Sequence, residues 1–226
     1  MKNTRPIHVY MMPGLAANAK IFRFIKLDPR FEVHLLSWFM PKQNETLNAY
    51  AQRMCAHIKH PNPVLVGVSF GGILVQEMSK LIDCQKVIII SSVRTRKEFP
   101  IHMRITSKTK AYRFFPMQWV NNLEDFVGFV FGPDTRKRMD LNKRYLSFRH
   151  PDYLNWSLDV LFNWAQTEPI EGVVHIHGSY DLVFPILYLK DYISVPKGTH
   201  VMIMLRASWF NENLPKIILG QYTNKK

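Results

Sequence analysis

The chain has 226 residues, of which 47% are hydrophobic, and its formal net charge is +13. This length and composition suit one compact domain and argue against a second full domain. No apolar stretch reaches the ~18 residues that a membrane span needs, and the two cysteines lack the clustering of a disulfide-rich secreted protein. We therefore expect a reduced, cytoplasmic protein with no membrane partner.

The first predicted elements are two strands followed by a helix. Apolar or alternating runs predict strands over 7–12 and 31–38. Apolar residues three and four apart then predict a helix within 45–58. Either Asn44 or Thr46 could cap that helix, because both side chains accept hydrogen bonds from free backbone N–H groups.

The same alternation continues to the end of the chain. Apolar runs predict strands over 64–68, 86–92, 173–178 and 191–195, and an amphipathic run predicts a helix over 71–82. Apolar strands that alternate with helices are typical of a parallel sheet buried on both sides. The sequence therefore predicts an α/β fold, with a mostly parallel sheet and helices on both faces.

The segment of about 94–168 has a different composition. It carries arginine, lysine, phenylalanine, tryptophan and methionine in blocks that are compatible with helices. We expect it to form a small helical cap inserted into a single domain that spans 1–226. Most of the basic clusters of the chain fall within this segment.

A serine flanked by glycines lies between the strand over 64–68 and the helix that follows. The motif Gly67-Val68-Ser69-Phe70-Gly71 has the G-x-S-x-G pattern, in which glycines allow a sharp strained turn that exposes the serine hydroxyl. This context favours a nucleophile over a tight strand-to-helix turn without chemistry, although the turn stays an alternative. A phosphate-binding loop fits less well, because no Lys-Ser or Lys-Thr pair follows the glycines.

A nucleophilic serine needs a histidine base and a carboxylate that orients the base. Asp181 follows the apolar strand over 173–178, and His200 follows the short strand over 191–195. The three residues thus occur in the order serine, acid, histidine that this type of motif requires. Asp181 is the predicted acid, and Asp191 is the second candidate.

With these residues in order, the chain resembles the α/β-hydrolase superfamily over nearly its whole length. The segment 12–18 stands where members of that family have the loop that donates one oxyanion hydrogen bond, although Pro13 replaces the usual histidine. The resemblance implies that the backbone N–H groups of Leu15 and Phe70 form the oxyanion hole. The segment between acid and histidine is shorter than in many members, and we expect its helix to be reduced to a turn within 185–190.

The resemblance also implies a function. We expect a serine hydrolase that cleaves a carboxylic ester or thioester of a small-molecule substrate through an acyl-enzyme intermediate, with no cofactor. Hydrolysis of a carbon–carbon or amide bond, or a catalytically silent binding protein with this fold, remain alternatives. The positive charge indicates either a solvated basic face or attraction of an anionic substrate or an acidic carrier protein. No nucleic-acid partner is expected, because no nucleic-acid-binding module occurs in the sequence.

The histidines do not suggest a metal site in the sequence. His175 and His177 lie two apart on a predicted strand and face the same way, but no third ligand is evident nearby. We interpret both as structural and predict no bound metal. The other histidines apart from His200 are scattered without ligand spacing: His8, His34, His57, His60, His102 and His150.

Overall fold

A six-stranded sheet organises the computed structural model, which describes residues 6–109 and 145–223. Every strand pair is parallel, and the strand order is β2-β1-β3-β4-β5-β6. The predicted α/β fold with a mostly parallel sheet is therefore confirmed. The strands are β1 (Ile7–Met12), β2 (Phe31–Leu35), β3 (Val64–Val68), β4 (Lys86–Ile90), β5 (Val174–Gly178) and β6 (Ile193–Val195).

Helices connect these strands. No helix in the described part of the chain is both long and apolar enough to cross a membrane. Short 3₁₀ helices cover Ala19–Phe22, Arg96–Glu98 and Ile186–Tyr188. The α-helices described are α1 (Leu47–Cys55), α2 (Phe70–Met78), α3 (Ile101–Thr109), α4 (Pro151–Phe162), α5 (Met202–Leu205) and α6 (Ala207–Ile218).

Two apolar layers cover the two faces of the sheet. Successive residues of a strand point to opposite faces, so Tyr10 and Met12 join the layer that contains α1 and α2. Val9 and Met11 join the other layer, which contains α6. This arrangement explains why the central strands β3 and β4 are apolar at nearly every position, and it confirms the prediction of helices on both faces.

The element boundaries differ from the sequence predictions in a few places. The helix predicted within 45–58 is α1, and Thr46 is its cap, because its Oγ1 accepts the Ala49 N–H at 3.2 Å. Strand β2 ends at Leu35, three residues earlier than predicted. The turn expected within 185–190 is the 3₁₀ helix Ile186–Tyr188.

The predicted cap falls only partly within the described residues. Residues 110–144 lie outside them, so the cap prediction for that part stays a prediction. Its two flanking helices, α3 and α4, contact each other. The segment that begins at residue 145 contacts the loop after β1. Tyr145 O accepts the Asn18 N–H at 2.8 Å, and the Phe148 N–H donates to Ala16 O at 3.1 Å. The end of the cap segment therefore contacts the carboxyl edge of the sheet.

Candidate active site

Ser69 occupies a strained turn between β3 and α2. Its backbone has φ 54° and ψ −121°, a conformation that costs energy for a residue with a side chain. The neighbouring chain segments approach too closely for larger residues at two positions. A Cβ at Gly67 would lie 2.3 Å from Gly71 O, and a Cβ at Gly71 would lie 2.4 Å from Pro13 O. The glycines of the motif are thus required by the packing of the turn.

Hydrogen bonds from the neighbouring strand hold this turn in place. The Ser69 N–H donates to Ile90 O at 2.9 Å, and the Ser92 hydroxyl donates to Ser69 O at 2.8 Å. Ser92 was not predicted to support the site. Its position just after the buried strand β4, the neighbour of β3, is a signal that could have identified it. The strain at Ser69 is therefore supported by contacts from the end of β4.

The structure brings Ser69, Asp181 and His200 into one hydrogen-bonded chain. Nε2 of His200 lies 2.9 Å from Ser69 Oγ, and Nδ1 of His200 lies 2.9 Å from Asp181 Oδ2. Each residue follows the carboxyl end of a strand, namely β3, β5 and β6. Because the strands are parallel, these ends meet at one edge of the sheet.

The second candidate for the acid is in a different environment. The Asp191 side chain is 87% exposed, and its carboxylate forms an ion pair with Arg94 at 3.5 Å. The side chain of Asp181 is fully buried and hydrogen-bonded to His200. The geometry therefore places Asp181, and not Asp191, behind the histidine.

Asp181 is held in its ionised form. Burial alone would raise the pKa of its carboxyl group, but the electrostatic interaction with His200 and hydrogen bonds from His177 and His200 outweigh burial and hold that pKa well below its ordinary value. Oδ1 also accepts the N–H groups of Val183 and Phe184 at 2.9 and 3.0 Å. An ionised carboxylate only accepts hydrogen bonds, so Nδ1 of His200 carries a proton and Nε2 is free to accept one from Ser69.

A second histidine contacts the same carboxylate. Nε2 of His177 lies 2.9 Å from Phe184 O and 3.3 Å from Asp181 Oδ2, and both of these oxygens can only accept. The His177 Nε2–H is therefore shared between them, and Nδ1 faces Nε2 of His175 at 3.0 Å. Burial holds the pKa of His175 well below its ordinary value, so this outer ring is neutral. Sequence reasoning placed both histidines on one face correctly but missed their link to the acid.

The predicted oxyanion donors lie in the loop after β1, which contains Leu15, and at the start of α2, which begins at Phe70. Among the described residues, the backbone N–H groups of Leu15 and Phe70 have no hydrogen-bond partner. The Trp38 indole N–H donates to Gly14 O at 2.8 Å, and the indole ring stacks on Phe70 with centroids 5.1 Å apart. This tryptophan anchors the loop after β1, in which Pro13 stands where the α/β-hydrolase superfamily usually has a histidine.

A small apolar cavity adjoins the reacting atoms. Its volume is about 70 Å³, and Ser69 and His200 border it. Tyr145 and Leu146, from the end of the cap segment, form part of its wall. A larger groove of about 1240 Å³ lies beside α4 and includes neither Ser69 nor His200. The small cavity is therefore the candidate acyl pocket.

Comparison with known proteins gave matches only among solved structures. No family model and no curated protein matches the chain. An esterase from Thermogutta terrifontis is 12% identical, with a TM-score of 0.68 over 97% of this chain and 92% of that chain. A lipase-esterase related protein from Clostridium acetobutylicum is 15% identical, with a TM-score of 0.65 over 94% and 95%.

A third similar structure extends the range of activities among the matches. A bromoperoxidase from Bacillus anthracis is 17% identical, with a TM-score of 0.70 over 95% of this chain and 92% of that chain. These likenesses cover nearly the whole of each chain, so they concern the complete fold and not a shared motif. The chain has the α/β-hydrolase fold, as the resemblance in its sequence predicted.

Proposed function

We propose that this protein is a serine hydrolase that cleaves a carboxylic ester or thioester through an acyl-enzyme intermediate. The observation that carries the proposal is the continuous hydrogen-bonded chain from Ser69 through His200 to Asp181, with 2.9 Å at each step. This arrangement provides a nucleophile, a base with a free lone pair and a carboxylate that fixes the base in the productive tautomer.

The first half of the reaction acylates the serine. His200 Nε2 takes the proton of Ser69 Oγ as that oxygen attacks the carbonyl carbon of the substrate. The resulting oxyanion receives hydrogen bonds from the N–H groups of Leu15 and Phe70. When the tetrahedral intermediate collapses, the bond to the leaving oxygen or sulfur breaks, and His200 returns the proton to the departing alcohol or thiol.

The second half releases the acyl group. His200 Nε2 takes a proton from a water molecule, which attacks the acyl carbon. The same two N–H groups stabilise the second oxyanion. On collapse, the bond between the acyl carbon and Ser69 Oγ breaks, His200 returns its proton to that oxygen, and the carboxylic acid leaves. Asp181 stays ionised throughout and stabilises the imidazolium form of His200.

The cavity beside Ser69 supports a short acyl group. Its volume of about 70 Å³ suits roughly two to three carbon atoms beyond the carbonyl, since one water molecule occupies about 30 Å³ of the liquid. The apolar side chains of Ile21, Leu146 and Ile203 border it. We therefore propose a substrate with a short, unbranched acyl chain.

The charge of the chain supports an anionic substrate or an acidic carrier of the acyl group. A net charge of +13 raises the local concentration of an anion and accelerates its encounter with the protein. If this holds, kcat/KM for an anionic thioester should fall as ionic strength rises, whereas kcat/KM for a neutral ester should stay constant. Equal responses of the two substrates would contradict this part of the proposal.

The test combines covalent capture with turnover. Wild type, Ser69→Ala and the control Ser79→Ala are treated with a fluorophosphonate and assayed on p-nitrophenyl esters and an acyl thioester. We expect labelling and hydrolysis in wild type and Ser79→Ala. Both should be lost in Ser69→Ala, with kcat lowered by roughly 10⁴-fold or more.

The alternatives predict other outcomes of the same test. Labelling at Ser69 without hydrolysis of any ester or thioester would favour cleavage of an amide or carbon–carbon bond. Absence of both labelling and hydrolysis in the folded wild type would favour a binding protein. Hydrolysis that persists in Ser69→Ala would contradict the proposed nucleophile.

A further inference from the structure

Three histidines that are far apart in the sequence lie together at the amino end of the sheet. His8 is on β1, His34 is on β2, and His60 is in the segment that leads to β3. One ring nitrogen of each lies within 4.8 Å of the others. Their scattered sequence positions gave no ligand spacing, so the sequence interpretation missed this cluster.

The register between β1 and β2 creates the cluster. His8 pairs with Glu32, and Tyr10 pairs with His34. Paired residues of adjacent strands project from the same face, and so do residues two apart on one strand. All four of these side chains therefore share one face at the edge of the sheet, with β2 as the edge strand.

The distances within the cluster are close to those of a metal centre. Nδ1 of His8 lies 3.0 Å from Nε2 of His34, and the Glu32 carboxylate oxygens lie 3.5 and 3.6 Å from these two nitrogens. Tetrahedral zinc with bonds of 2.0–2.1 Å separates its ligand atoms by about 3.4 Å. The His60 ring stacks on His8 with centroids 3.5 Å apart, and its ligand nitrogen, within 4.8 Å of the other two, has to move closer to complete the site.

A hydrogen bond with Tyr10 positions the third histidine, His60. The Tyr10 hydroxyl lies 2.7 Å from Nδ1 of His60 and accepts the Lys59 N–H at 2.9 Å. This contact leaves Nε2 of His60 available as a ligand atom. A hydrogen bond to the ring nitrogen that does not bind the ion is the usual support of a metal-ligating histidine.

We propose that His8, His34 and His60 bind a divalent transition-metal ion of the zinc type, with Glu32 as the fourth ligand. Imidazole nitrogens with one carboxylate suit Zn²⁺, whereas Mg²⁺ prefers a set of oxygen ligands. All three histidines are partly exposed, so an ion can reach them from solvent.

We expect the bound ion to stabilise the fold and to take no part in the proposed hydrolysis. The ion would join β1, the edge strand β2 and the segment before β3, three parts of the chain that otherwise meet through backbone pairing, packing and side-chain hydrogen bonds. His34 pairs with Tyr10, which pairs with Leu65, and the four residues from Leu65 to Ser69 span about 13 Å of extended chain. The inference is therefore independent of the proposed hydrolase activity.

The test measures zinc binding to untagged protein, because a purification tag of histidines would itself bind zinc. Wild type, His60→Gln, His34→Gln and the control His102→Gln, an exposed histidine on α3, are stripped with a chelator, dialysed and titrated with ZnCl₂ in a calorimeter. We expect one Zn²⁺ per chain in wild type and His102→Gln. The affinity should fall at least tenfold in both cluster variants, and MgCl₂ should give no binding heat.

Two further measurements do not depend on the folding of the variants. Co²⁺ bound to wild type should give the intense visible absorption of tetrahedral coordination, and Zn²⁺ should abolish it. Zinc at about 100 times its dissociation constant should also raise the melting temperature of wild type by roughly 5 °C. Absence of a stoichiometric site in wild type, a Co²⁺ spectrum of the hydrated ion, or equal affinity in His102→Gln and the folded cluster variants would overturn the proposal.

Discussion

The two ends of the sheet each carry a cluster of three chemically active side chains, but they differ in how the side chains are held. At the carboxyl end, Ser69, Asp181 and His200 follow strand ends, and the acid accepts four hydrogen bonds or ion contacts that fix its charge. At the amino end, the histidine cluster is partly exposed, and its rings contact one another by stacking and a single nitrogen–nitrogen hydrogen bond.

The difference shows what each end can do without a ligand. The carboxyl-end cluster already has the geometry that its proposed reaction needs. Ser69 and His200 each donate to the next residue, and Asp181 selects one tautomer of His200. In the amino-end cluster, one hydrogen bond joins ring nitrogens of His8 and His34, and a cation bound by both would replace its proton. The comparison therefore supports the proposal of catalysis at the first end and of ion binding at the second.

After the loss expected in Ser69→Ala, the largest effect that we expect concerns the acid. Asp181→Asn should lower kcat for p-nitrophenyl acetate by about 10³–10⁴-fold, because an amide in place of the carboxylate no longer selects the productive tautomer of His200. Asp191→Asn, which changes only an exposed partner of Arg94, should stay within twofold of wild type. Steady-state kinetics of the two variants decide between the candidate acids. A larger loss in Asp191→Asn would contradict the assignment from geometry.

The carboxyl end was largely predictable from the sequence because its signals are local. Gly67 and Gly71 fix the turn around Ser69 within five residues, and the parallel strands dictate that Asp181 and His200 arrive at the same edge. What the sequence did not reveal are contacts made across elements. The anchoring of the loop by Trp38 depends on how β2 ends, which no local pattern specifies.

The amino end was not predictable for a similar reason. His8 and His34 become neighbours only through the register of β1 against β2, and a shift of one residue would place them on opposite faces. That register is set by the packing of the two apolar layers, which involves the whole sheet. The position of His60 depends in turn on its contact with the Tyr10 hydroxyl.

The second prediction tests the contact between His177 and the acid, Asp181. His177→Phe should lower kcat roughly tenfold and leave KM within about twofold, because Asp181 loses a donor while the substrate contacts remain. His177→Gln, whose amide can still donate, should recover part of the loss. A merely structural role would instead lower the fraction of active enzyme, which titration with the fluorophosphonate measures. Unchanged kcat per titrated site in His177→Phe would show that the contact does not position the acid.

The third prediction concerns the cavity at the carboxyl end. We expect kcat/KM to be highest for acetyl to butyryl esters and to fall about tenfold for octanoyl esters, because the cavity of about 70 Å³ cannot hold the longer chain. Leu146→Ala should shift the optimum towards longer chains by enlarging the cavity. Leu161→Ala, a buried leucine in α4 that does not border the cavity, controls for loss of stability. The same optimum in both variants would exclude the cavity as the acyl pocket.

The smallest expected effect tests whether the two ends are independent. In metal-free buffer, His60→Gln should hydrolyse a short ester with kcat/KM within about twofold of wild type, since about 13 Å of extended chain separates the cluster from Ser69. Added Zn²⁺ should raise the melting temperature of wild type but leave its kcat unchanged. A change in kcat on zinc binding that disappears in His60→Gln would mean that β1 transmits the state of one end to the other, and the two clusters would then form a single regulated system.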